Sequence, residues 1–270
     1  DGAGAFIQDM LFAHAYVFSL NDNGKNAMFV YGGACSQRRM HKTEAALKGI
    51  GLLQELPVRL CKDESNIISP DVYRKDKLFH KPGWLKRIHS SIEQNIPVKL
   101  RSNASKHQHK TVVHIRRGDI GPCTNAGKTG YARYLPNSHY LEAISKYAPP
   151  QSHIQIISLK NPYENFTIFS EHLGPEGPVS DKNLSLEIDL DPTKTITQIW
   201  MEMMTADMLI ISRSSYSYVP ALLNINPNVQ VIYTPFWHSK LPNWTKVDEE
   251  ILEHTELESK RLKKIWCHQQ

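Results

Sequence analysis

The chain has 270 residues, with 32 Lys and Arg against 27 Asp and Glu and a formal charge of +5. Hydrophobic residues make up 40% and charged residues 22%, enough apolar side chain for a real core, which excludes a wholly disordered chain. The basic excess suits a phosphate-bearing ligand and is too small for a protein built to neutralise a nucleic-acid backbone, and no run of eighteen apolar residues predicts a membrane span.

The chain opens on Asp1-Gly-Ala-Gly-Ala-Phe-Ile-Gln-Asp-Met10, two glycines ahead of an apolar run to Phe18. This reads as a glycine loop opening a helix, without the strand that normally precedes such a loop. Ala27–Tyr31 reads as a short buried strand closed by Gly32-Gly33. Residues 42–53 have helical composition and end near Gly49 and Gly51. Leu56–Leu60 reads as a strand, and the polar turn 61–65 follows. Trp84, Leu85, Ile88 and Ile92 recur at helix spacing over 84–95. The polar, basic stretch 101–110 reads as a linker or surface loop.

Beyond it, strands are expected at 111–115, 154–159, 208–211 and 229–233. Helices are expected at 140–147, 195–204, 217–223 and 249–267. This alternation implies an α/β protein with parallel sheets, and the break near 96–110 divides it into two units. Ligands of such folds sit in the crevice at the carboxyl ends of the strands.

Cys35, Cys61, Cys123 and Cys267 lie far apart, with no C-x-x-C pair. That argues against a zinc knot or a disulfide-dense secreted module, and four free thiols in a reducing compartment are expected, one bridged pair being the alternative. With no signal-peptide pattern at the start, a cytoplasmic location is expected, the Golgi lumen being the alternative. N-x-S/T sequons at Asn103, Asn165, Asn183 and Asn243 matter only in a secretory lumen.

Two segments carry chemistry. His114-Ile-Arg-Arg-Gly-Asp119 sits at the end of an expected strand. Guanidinium groups bind phosphate through charge-assisted hydrogen bonds, Gly118 permits the turn, and Asp119 orients an arginine. The bland alternative is a surface Arg–Asp turn. Ala206 to Pro220 runs from a buried strand through Ser212-Arg-Ser-Ser-Tyr216 into a helix. Such a helix start presents N–H groups to an anion, or Ser214 or Ser215 simply caps the helix.

The H-x-R-R-G-D block, the segment Leu135-Pro-Asn-Ser-His-Tyr-Leu-Glu-Ala-Ile144, the strand end at 156–158 and the D-x-L-I-x-S-x-S-S-x-S block occur in an order that resembles the fucosyltransferase superfamily. The opening Gly2-Ala-Gly-Ala-Phe-Ile-Gln-Asp9 is similar to its glycine loop. The resemblance implies a GT-B architecture without a metal or other cofactor: an acceptor-side Rossmann-like domain over 1–105, a nucleotide-sugar domain over 106–248, and a C-terminal helix over 249–270 crossing back to the first domain. It implies that Arg116 and Arg117 hold the donor diphosphate with His114 beside it. Arg213, Ser214, Ser215 and Tyr216 would bind the nucleotide and its phosphates, and the backbone at Gly4 and Ala5 would line the cleft opposite.

Ala5 stands where many relatives carry Asn, and Ser215-Tyr-Ser-Tyr-Val-Pro220 replaces the Phe-Ser-Trp of the α-1,2 enzymes. The chain therefore resembles a divergent branch, with xylose from UDP-xylose as the expected sugar and GDP-fucose as the alternative donor. The acceptor is a glycan hydroxyl. A catalytically inactive glycan- or nucleotide-binding relative is the competing reading.

An inverting transfer also needs a base. Asp63, after the strand 56–60, is the candidate, with Glu64 and Asp9 as rivals and an ordinary turn role as the alternative. The D-x-D in Glu187-Ile-Asp-Leu-Asp191 is expected to supply the acidic first turn of the next helix rather than a metal site. Lys106-His-Gln-His-Lys110 is expected to be an interdomain loop. Trp237, His238 and Trp244 are expected in packing, an acceptor-stacking role being the alternative.

Overall fold

A computed structural model of the chain describes residues 3–23, 44–52, 79, 81–95, 108–124 and 132–267. The expected strands at 27–31 and 56–60 lie outside these residues, as do Asp63 and Glu64. The first half of the chain enters the described structure as helices. Helix α1 spans Ala3–Asp22, so the expected glycine loop is helical and Gly4 and Ala5 lie in its first turn. Two alanines of high helix propensity flank Gly4, and Ile7, Met10, Leu11 and Ala15 are buried along one stripe, which outweighs the cost of one glycine.

A short helix over 44–49 ends at Gly51, whose φ of +76° lets the Leu52 N–H reach the Leu47 carbonyl at 2.8 Å. Helix α2, Pro82–Asn95, starts with proline at its first position, where a missing N–H costs nothing, and buries Trp84, Ile88 and Ile92.

The second half contributes β1 (Lys110–Ile115), α3 (Asn137–Tyr147), β2 (His153–Ser158), α4 (Thr167–Leu173), β3 (Ser185–Asp189), α5 (Ile196–Met204), β4 (Met208–Ile211), α6 (Ser215–Leu222), β5 (Gln230–Tyr233), β6 (Thr245–Lys246) and α7 (Glu249–Cys267). The strands form one sheet in the order β3-β2-β1-β4-β5-β6, and every neighbouring pair is parallel. In sequence numbering this is 3-2-1-4-5-6, the order of doubly wound nucleotide-binding sheets. The α/β parallel architecture is thus the one the alternation implies.

Side chains alternate between the two faces. Val113, Ile210 and Ile232 pack with α3, α4 and α7. Val112, Leu209 and Val231 pack with α5 and α6 in a core that continues through α1, α2 and residues 46–52. Helix α1 lies chiefly on α6.

Two expectations change. Lys110 belongs to β1, so the end of the His-rich tract is strand and not loop. Among the described elements helix α7 makes its main contact with α3, and its last two turns dock Leu262 and Trp266 on Ile120 and Tyr134. These are its partners among the described residues, and most of residues 24–107 lie outside them. Finally, Cys123 and Cys267 form a disulfide across a Cα–Cα distance of 5.5 Å, which corrects the expectation of four free thiols. Spacing in sequence gave no hint of the pairing because a helix of nineteen residues brings the two ends together. Among the described residues no helix is long and apolar enough to cross a membrane.

Candidate functional site

Strands β1 and β4 are sequence-distant neighbours, and the strand order reverses between them. Their carboxyl ends therefore frame the crevice where a doubly wound sheet takes its ligand. The register pairs Val113 with Ile210, so the chain leaves the sheet at Arg116 on one side of the crevice and at Ser212–Ser214 on the other. The two segments singled out in the sequence meet here. His114 Nδ1 lies 2.8 Å from Ser212 Oγ, and its ring lies 5.3 Å from that of Tyr216. Burial drives the His114 pKa down to about 3, and the charges of Arg116 and Arg117 push the same way. The imidazole is neutral at physiological pH and serves as a hydrogen-bonding wall. Burial raises Tyr216 to about 12, against the pull of Arg116, so its phenol is also neutral.

Arg116 faces this crevice. Its Nη2 donates to Asp119 Oδ1 at 2.6 Å, with Asp119 more than half exposed. Gly118, at φ +83°, makes the turn between them. A Cβ there would be strained and would press on Leu159. Arg117 behaves differently. Its side chain is 0% exposed and its Nη2 lies within 2.9 Å of Leu135 O, Asn137 Oδ1 and Glu164 Oε2. Its guanidinium also covers the Tyr134 ring at 4.7 Å, and Tyr134 donates to the same Glu164 carboxylate. A guanidinium with these partners pins the segment 134–137 and the loop after β2 to the end of β1, away from the ligand. The two arginines therefore have different surroundings: Arg117 is enclosed by protein partners, and Arg116 lies at the mouth of the crevice. Successive side chains of an extended segment point to opposite sides.

Helix α6 begins at the crevice. Ser214 is its N-cap, its hydroxyl accepting from the Tyr216 N–H at 3.2 Å. Ser217 is buried against Ser212, 3.2 Å between hydroxyl oxygens. Ser215 and Tyr216 are partly exposed, at the positively polarised end of the helix. Arg213 turns to the neighbouring strand end, with Nε donating to Pro235 O and Nη1 to Ala132 O, both at 2.9 Å. It clamps the β5 exit to the segment at 132.

Beyond β5, Gln8 Nε2 of α1 and Trp237 Nε1 both lie within 2.9 Å of His238 Nε2. This places the first half of α1, and with it Gly4 and Ala5, on the carboxyl side of the sheet. Asp9, the described rival for the base, is on the same helix. Arg133 is exposed and stacks on Trp237 at 4.9 Å, whereas Trp244 is buried in the core as expected. A pocket of about 400 Å³ opens on the same edge past β2, lined among others by Lys160, Asn161, Tyr163, Glu164 and Asn165.

The D-x-D residues are committed elsewhere. Asp189 ends β3, pairs with Lys194 and accepts from the Asp191 N–H. Asp191 accepts from both the N–H and the hydroxyl of Thr193, which holds its pKa below the usual carboxylate value. They turn the chain after β3, while α5 is capped by Thr195 and Gln198 in a reciprocal box. The expected acidic first turn is thus replaced by this cap. Among the described residues no three His, Cys, Asp or Glu side chains cluster as metal ligands.

No protein-family model matches the chain, and no curated protein matches it in sequence. Among solved structures it is similar to two E. coli proteins. One is heptosyltransferase WaaC with ADP-2-deoxy-2-fluoro heptose, at 11% identity and a TM-score of 0.37 over 81% of this chain and 62% of that one. The other is ADP-heptose LPS heptosyltransferase II, at 11% identity and a TM-score of 0.43 over 93% and 96%. The match thus spans less than two thirds of the WaaC chain. What these proteins bind is a property of theirs, and the reading below rests on the residues of this chain.

Proposed function

We propose that the protein is an inverting glycosyltransferase that moves a sugar from a nucleotide diphosphate onto a hydroxyl of a glycan. The observation that carries this reading is the crevice between β1 and β4, where Arg116 faces the capped N-terminus of α6 across the neutral pair of buried His114 and half-buried Tyr216. A fixed cation, a helix N-terminus and dry walls are what a leaving diphosphate requires. Arg116 neutralises the charge that develops as the anomeric C–O bond breaks. The α6 N–H groups hold the phosphate oxygens, and the hydroxyls of Ser214 and Ser215 fix the turn. These groups supply the stabilisation without a metal, so transfer is expected to persist in EDTA.

On the acceptor side a carboxylate removes the hydroxyl proton. Asp63 is the residue proposed for it and lies outside the described residues. An Asp63→Asn variant that keeps near wild-type transfer overturns that assignment. UDP-xylose is the first donor to test and GDP-fucose the alternative.

A thermal-shift screen with UDP, GDP, ADP, UDP-xylose, UDP-glucose and GDP-fucose tests the reading. A ligand that binds only the native state, at about 100 times its Kd, raises the midpoint by about 5–10 °C for a chain of this size. Stabilisation by one nucleotide family, lost in Arg116→Ala, supports the proposal. No shift with any of them overturns it, and stabilisation by GDP alone overturns the xylose assignment.

A further inference from the structure

All six strands run the same way, so the molecule has a carboxyl edge, where the crevice lies, and an amino edge behind it. Two sequons fall on the amino edge. Asn183-Leu-Ser185 precedes β3 and Asn243-Trp-Thr245 precedes β6. β3 and β6 are the two outermost strands of the sheet, and in each case the third residue of the sequon is the first residue of the strand. Both asparagines are exposed. Asn183 sits in a left-handed turn at φ +49°, held in place by Gln151 N–H donating to Lys182 O and Ser185 N–H donating to Ser152 O. Asn243 lies between Leu241 and Trp244, both buried, so its own side chain is left outside. A third described sequon, Asn165-Phe-Thr167, is also exposed but lies on the carboxyl edge. There its Oδ1 accepts from Thr167 N–H at 3.0 Å and it lines the pocket past β2.

Independently, Cys123 and Cys267 are joined. A disulfide persists in an oxidising compartment, and the secretory lumen is the one in which sequons are read. We propose that the chain matures in a secretory lumen and carries N-linked glycans at Asn183 and Asn243. In the reaction the Asn Nδ2 forms a bond to the anomeric carbon of an oligosaccharide held on a lipid pyrophosphate. The carbon–oxygen bond to the pyrophosphate breaks, the pyrophosphate leaves with the electron pair, and the amide gives up one proton. The two glycans stand beside the outer edges of β3 and β6, which pair with no further strand among the described residues and whose N–H and C=O groups otherwise invite strand-to-strand association. They leave the crevice open. This location replaces the cytoplasm as the expected compartment.

The test is peptide mapping of the chain purified from its own cells, unreduced, before and after peptide N-glycosidase. The expected result is that the peptides containing Asn183 and Asn243 appear only after the enzyme, with Asn converted to Asp, and that Cys123 and Cys267 share one cross-linked peptide. Unmodified Asn183 and Asn243 overturn the proposal, whatever the state of the thiols, and so does a glycan confined to Asn165. In the same cells Asn183→Gln and Asn243→Gln are each expected to remove one step of the mobility shift caused by the glycosidase. A full shift remaining in the double variant overturns the assignment of sites.

Discussion

Arg116 and Arg117 are neighbours in sequence with opposite duties, and the difference is measurable. Arg116→Ala removes a half-buried group at the crevice whose ion-pair partner among the described residues is the well-exposed Asp119. It is expected to lower transfer by about 10²–10³-fold while changing stability by less than about 1 kcal/mol. Arg117→Ala leaves buried Tyr134 and half-buried Glu164 around a void, and Glu164→Gln strips the charge partner from a guanidinium that is wholly buried. Each is expected to destabilise the fold by about 3–5 kcal/mol in urea unfolding. An Arg117→Ala protein of full stability would refute the structural role. The arginine pair was legible in sequence as a candidate anion site, but the different surroundings of its two members depend on Glu164, 47 positions on from Arg117. No local pattern points from one to the other.

Among elements, α3 is joined to α7 and to the end of β5 through one side chain. His139 Nδ1 lies 2.7 Å from Thr255 Oγ1, and Nε2 lies 2.9 Å from Thr234 Oγ1. Burial pushes its pKa down to about 3, with the charges of Arg213 and Arg117 adding to the effect. The folded-state value is below the unfolded value of 6.5, so between these limits the unfolded chain binds a proton that the folded chain refuses. Stability contributed by neutral His139 is therefore present above pH 6.5 and lost as the pH falls toward 3. In a His139→Gln variant the slope of unfolding free energy against pH, measured from pH 4 to 6, should fall by up to about 1.4 kcal/mol per pH unit relative to the parent. An unchanged slope would mean that this histidine titrates freely.

Elements rich in β-branched or aliphatic runs, such as β4 and β5, were readable from sequence nearly to the residue. β3 was not, because an edge strand written Ser-Leu-Glu-Ile-Asp exposes every second side chain and looks like a loop with a D-x-D. β6, two residues long, carries no periodicity at all. The helical start at Ala3 was hidden by two glycines, which local propensity weighs more heavily than the buried stripe that follows.

For the whole molecule, the order of strands decides where chemistry happens, and strand order is the part of the fold that a sequence states least directly. Alternating strands and helices announced a parallel sheet. Only the pairing of β1 with β4 shows that residues 114–119 and 212–217 share one crevice. The disulfide is likewise a tertiary fact. Replacing Cys267 by Ser is expected to lower stability by about 2–5 kcal/mol, since the bridge closes a long loop in the unfolded chain, and to loosen Trp266 from Tyr163, now 5.6 Å apart. Equal midpoints for the two proteins under non-reducing conditions would show that the last turn of α7 holds without it. The bridge also changes what the molecule is as a covalent object. Residues 123–267 form a ring that contains β2 to β6 and all the helices between them, while β1 enters from outside as a tail. A protease that nicks any loop within the ring opens a circle and releases nothing. The cut protein keeps its mass until a reductant separates the pieces, so damage at the surface does not become loss of the half that carries the sheet.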